Sequence, residues 1–124
     1  MRWMILAIAS IAAVTPTRAD VATDQQWAAM KSTAIAMLMA SRCGRAFLNE
    51  NMASRMAAQA GASINDYVKG GRFERSFDSH IFREKWKVDG MSVDEDCSEA
   101  YRLYGPAGPE VPDLVLPISA RPSF

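Results

Sequence analysis

The chain has 124 residues, 49% of them hydrophobic, and its 14 Lys and Arg balance its 14 Asp and Glu. That balance excludes a protein built to grip nucleic acid, because phosphate binding needs clustered surplus positive charge. Two cysteines and a single histidine leave little material for a metal centre or a nucleophile with its base.

The opening stretch "MRWMILAIASIAAVTPTRAD" sets Arg2 ahead of an apolar run from Trp3 to Val14 that only Ser10 interrupts. Pro16 ends the run, and Thr17 and Ala19 put small residues at the minus-three and minus-one positions of a cut before Asp20. This is the three-part layout of a secretory signal peptide, so residues 1–19 are expected to be cleaved and the protein to be periplasmic or secreted. An uncleaved N-terminal anchor is the alternative. The run is too short for a membrane-crossing helix, which needs about 20 residues, and no later stretch reaches that length. Removing residues 1–19 leaves 105 residues with a net charge of −2, the size of one domain.

Thr23 and Gln26 have the spacing of a capping box, which predicts a helix starting near Asp24. The proline-free residues that follow are rich in Ala, Met and Leu, all helix formers. Trp27, Met30, Ala34 and Leu38 form one stripe at helical spacing, and Met39, Cys43 and Phe47 form a second. This helix is expected to be the central, most buried one, with Gly44 inside it as a kink or close crossing. A second helix is predicted from about Asn51 to Ala60, with Met52, Met56 and Ala60 on one face and Gly61 as its stop. Ser63 caps a predicted short third helix with Ile64, Tyr67 and Val68, ended by Gly70 and Gly71. From Arg72 to Val88 the residues Phe73, Phe77 and Ile81, with Phe82 and Trp86 alongside, describe a fourth helix whose other face is charged. Ser92 and Glu95 form another capping box, and Val93, Cys97, Ala100, Tyr101 and Tyr104 share a face of a fifth helix stopping at Gly105. The last twenty residues hold five prolines and are expected to be extended, yet Val111, Leu114, Val115, Leu116 and Ile118 make them too apolar for a solvated linker.

The chain is therefore read as all-α. Residues 20–104 form a small bundle of about five helices tied by one disulfide, and residues 105–124 form an extended Pro-rich strap, packed on the domain or docked on a partner. In an exported chain, two cysteines on the apolar faces of separate helices pair most simply with each other, giving a Cys43–Cys97 disulfide. Arg42 and Arg45 would favour a thiolate at Cys43, but they lie at minus one and plus two, where neither stands over the sulfur on a helix.

No cofactor is expected. The methionines Met37, Met39, Met52 and Met56 invite a cuprous-ion reading, but core packing is the simpler account. His80, with Asp78 nearby and Glu84 one turn on, is the sole candidate for acid-base chemistry, and a surface ion pair is the expected outcome. Lys69-Gly70-Gly71-Arg72 lacks the preceding strand of a phosphate loop, and Asp94, Glu95, Asp96 and Glu99 suit a helix N-terminus. Candidate partner contacts are Arg42, Arg45 and Glu50 around Cys43, and Leu114 and Leu116 in the strap.

Cys43-xxx-Phe47-Leu48, the signal segment, the helical content and the two cysteines resemble small disulfide-stapled helical periplasmic proteins. Two such groups are the acid-stress chaperones of the HdeA type and the Tai-type immunity proteins of type VI secretion. The tail from Gly105 departs from the chaperone pattern, and no functional residue is carried over from either group. With no convincing nucleophile, metal set, cofactor loop or basic patch, the chain is expected to be a non-enzymatic protein that acts by binding another protein, as an inhibitor, immunity or accessory protein. An acid-stress chaperone is the alternative, and a small enzyme using His80 is a second one.

Overall fold

The computed structural model describes residues 21–120, so the signal-peptide expectation lies outside the described residues. Four α-helices dominate them: α1 (Asp24–Cys43), α2 (Glu50–Gln59), α3 (Glu74–Asp89) and α4 (Val93–Tyr104). Two three-residue strands, β1 (Ala46–Leu48) and β2 (Val115–Pro117), pair antiparallel, with Phe47 opposite Leu116.

Helix α1 begins where the capping box predicts. The Gln26 amide donates to the Thr23 hydroxyl oxygen at 3.1 Å, and the Thr23 amide donates to Gln26 Oε1 at 2.9 Å. Its end corrects the sequence expectation, because Gly44 does not lie inside a continuing helix. Gly44 adopts φ 72°, a left-handed cap that suits glycine, and its amide donates to the Ala40 carbonyl at 3.1 Å. The chain then turns into β1, so Phe47 belongs to a strand and not to the helical stripe of Cys43. Pairing with β2 outweighs the local helix propensity of these residues.

The expected third helix is also corrected. Ser63 caps only a single 3₁₀ turn at Ile64–Asp66, leaving four α-helices rather than five. Gly71 continues the chain so close to the Asn65 and Asp66 carbonyls that a Cβ there would strike them. The Ser92 capping box starts α4 as predicted, with the Glu95 amide donating to the Ser92 hydroxyl at 3.1 Å.

Helix α1 is central, touching α2, α3, α4 and both strands. Several of its buried positions are alanine, namely Ala29, Ala34, Ala36 and Ala40, as are Ala53 and Ala57 of α2 and Ala100 of α4. Small side chains let the helices approach closely. The larger core cluster gathers Met39, Cys43, Val88, Cys97, Tyr104, Leu114 and Val115, and a smaller one joins Met30, Ala57, Tyr67 and Phe73. Met52 and Met56 pack half-buried against the larger cluster.

From Gly105 to Leu114 the chain runs through turns, and within the described part only Val115–Pro117 is strand. The Asn49 side chain and amide fasten this segment by donating to the Asp113 and Leu114 carbonyls at 2.9 and 2.8 Å.

Candidate functional site

Three regions hold the residues that the sequence singles out. The first surrounds the cysteines. Cys43 and Cys97 lie at disulfide distance with their Cα atoms 4.9 Å apart, joining the end of α1 to the first turns of α4. Arg42 is not a free surface cation. Its Nε donates to Asp96 Oδ2 at 2.8 Å and its Nη2 to the Met91 carbonyl at 2.7 Å. Asp96 is wholly buried, and its Oδ1 has no hydrogen-bond partner. Arg45 reaches Asp94 Oδ1 at 2.9 Å on the exposed surface, and its Nη2 stands 3.2 Å from Cys97 Sγ. Glu50 is exposed at the first position of α2, where the helix dipole favours a carboxylate. Leu114 is 0% exposed, so it packs inside the domain and presents nothing to a partner, while Leu116 is half-buried opposite Phe47. The five candidate contacts therefore do not form one surface.

The second region corrects the reading of His80 as a surface residue. Its side chain is 2% exposed, and its ring centroid lies 4.1 Å from that of Trp27 on α1. Arg83 stacks over the same indole at 5.6 Å. Nε2 of His80 has no hydrogen-bond partner, and a solvent-borne substrate does not reach it in this conformation. Burial holds the imidazole below its ordinary pKa, the nearby Arg83 and Lys31 charges push the same way, and Glu84 opposes them. One turn on, Glu84 is also buried, with Lys87 Nζ 3.5 Å from its Oε1. Tyr104 of α4 faces Glu84 and bonds Ser32 of α1; burial and the carboxylates of Glu110 and Glu84 push its phenol up to about 12. A buried polar seam thus runs between α1, α3 and α4.

This seam carries a pH dependence. An unfolded imidazole titrates near 6.5, whereas the folded one resists protonation. The stability that His80 contributes by staying neutral is complete above about pH 6.5 and is lost as the pH falls toward the lower folded value. Urea midpoints should therefore drop between pH 7.5 and 5.5, and His80→Leu should flatten that slope. An equal slope in both proteins would show that other groups set it.

The third region is one that the sequence reading missed. Helix α3 turns His80, Glu84 and Val88 inward, with Phe73 buried at its N-cap, and leaves Phe77 half-buried. Phe82 and Trp86 lie two positions beyond His80 and Glu84, a rotation of about 200° that carries them to the opposite face. They are 69% and 74% exposed, one helical turn apart, and with Lys85 and Asp89 they line a shallow apolar hollow of about 290 Å³. The sequence expectation had placed both aromatics beside the buried stripe.

Among the described residues no group of three or more His, Cys, Asp or Glu stands together to hold a metal ion. No helix among them is long and apolar enough to cross a membrane. Comparison with family models, with curated proteins and with solved structures finds no match to this chain.

Proposed function

We propose that this is a small exported protein, cleaved after residue 19, that works without catalysis by contacting another protein, as an inhibitor, immunity or accessory protein. The observation that carries the reading is the outward Phe82–Trp86 pair on α3. Exposed large aromatics set side by side cost solubility, and aromatic residues are the side chains that most often anchor protein contacts. The pair sits on a helix fixed to α1, so it is presented without a large ordering cost. The bonded cysteine pair suits an oxidising compartment, which agrees with the signal-peptide layout of residues 1–19.

The test compares immobilised mature protein with its Phe82→Ser/Trp86→Ser variant in extract from the compartment where the protein resides. The wild type should retain a stoichiometric partner that the variant releases. Equal retention by both would overturn the assignment of this face.

A second reading, the acid-stress chaperone, is favoured by the buried imidazole of His80 on α3, whose Nε2 lacks a hydrogen-bond partner. It expects the domain to loosen and to suppress aggregation of unfolded clients below about pH 3 to 4, where carboxylates also protonate. Unchanged circular dichroism and no suppression at that pH would sink it.

A further inference from the structure

We infer that the partner covering the outer face of α3 is a second copy of this chain, docked antiparallel about a two-fold axis at Phe82. The inference rests on the reading of that face as a protein contact and supplies its occupant.

The exposed stripe of α3 runs Arg75, Asp78, Ser79, Phe82, Lys85, Trp86 and Asp89, at the three- and four-residue spacing of one helix face. Arg75 and Asp89 each lie seven residues from Phe82, on opposite sides. A two-fold axis at Phe82 therefore sets Arg75 of one copy against Asp89 of the other, twice over. It also brings Trp86 against the Asp78–Ser79 turn and Lys85 against Ser79, with the two Phe82 rings at the centre. A self-complementary patch of this kind is what a two-fold interface requires.

The charges argue against other occupants. The stripe holds Arg75 and Lys85 against Asp78 and Asp89, so it is neutral and offers no net attraction to an anionic lipid surface or to a strongly charged protein. Among the described residues Arg75 and Asp78 make no ion pair within the chain, and Asp89 pairs only with Lys85, at 2.6 Å. In the antiparallel pair Asp89 gains Arg75 as a second partner.

Size is consistent with a reversible dimer. Two aromatic side chains supply about 300 Å² per copy. With the flanking stripe of a helix about 24 Å long, the total buried reaches on the order of 1,000 Å², the low end for a specific interface. The dissociation constant should accordingly lie on the order of micromolar.

The test is sedimentation equilibrium of the mature, oxidised protein, from micromolar concentrations up to about 1 mM. A reversible dimer is expected, and Trp86→Ala should weaken it about 30-fold, as loss of a buried aromatic anchor does. Arg75→Glu or Asp89→Arg alone should weaken it about tenfold, since the two-fold repeats each clash, and combining them should restore association. All three positions are exposed, so circular dichroism of each variant should match the wild type. A monomer throughout the range, or a dimer indifferent to Trp86→Ala, overturns the proposal. So does a monomer that floats with lipid vesicles through Trp86, which would assign the face to a bilayer. The parent reading stands or falls separately. A monomer that still retains a different protein, and releases it on Phe82→Ser/Trp86→Ser, removes the second copy but leaves the protein-contact face standing.

Discussion

Replacing Cys43 and Cys97 together by alanine should lower the stability of the domain by about 4 kcal/mol. The pair closes a loop with a sequence separation of 54, and the chain-entropy model assigns a loop of that size a figure of this order. That is a large fraction of the roughly 5–15 kcal/mol that holds a small domain together. The cross-link ties the end of α1 to α4, while α2, the 3₁₀ turn and α3 all lie within the loop it closes. Losing it should loosen the whole domain rather than one end. Both side chains are buried, so alanine leaves small voids but no stranded polar atom. For a domain of about 100 residues the melting temperature should fall by at least about 15 °C. Thermal unfolding of the oxidised protein beside the double variant measures this, and a fall of less than about 4 °C would mean that the cross-link constrains little.

The second large effect belongs to Arg42. Removing one partner of a buried ion pair leaves an uncompensated charge and costs about 3–5 kcal/mol. Arg42→Ala should fall at the lower end of that range: the Arg42 side chain is 34% exposed, but its loss strands a wholly buried Asp96 whose other oxygen already lacks a partner. It also takes the donor from the Met91 carbonyl at the α3–α4 turn. Arg45→Ala is the internal control. Its partner Asp94 is 88% exposed in the side chain and Arg45 itself 63%, so that change should cost about 1 kcal/mol or less. Replacing both members of the buried pair, as Arg42→Met with Asp96→Leu, should recover much of the loss. Urea midpoints of the four proteins decide the matter, and equal effects of Arg42→Ala and Arg45→Ala would contradict the asymmetry.

These two effects also mark what the sequence does and does not disclose. The capping boxes at Thr23 and Ser92 were legible because their chemistry is local: a hydroxyl and a side-chain oxygen three residues apart satisfy amides at a helix start. The Cys43–Cys97 pairing was legible because only two cysteines exist. The end of α1 had a local signal in Gly44, which takes the left-handed cap, but the strand after it did not, because nothing within residues 44–48 foretells that residues 115–117 will pair with them. Arg42 read as a candidate partner contact because its partner Asp96 is 54 residues away. For α3, pure hydrophobicity misled. Its aromatic residues lie on two faces, and the face that packs on α1 is the one carrying His80, which meets Trp27, and Glu84, which faces Tyr104. A stricter count of angles would have separated Phe82 from Phe73 and Phe77, but which side faces the core is settled only by the partner helix.

The central claim, that the outer face of α3 meets another protein, is tested most directly in living cells by placing the photo-crosslinker p-benzoylphenylalanine at position 86. Irradiation should yield a discrete protein adduct that is absent when the crosslinker sits at position 58 on the exposed side of α2. No adduct from position 86, or the same adducts from both positions, would contradict the account.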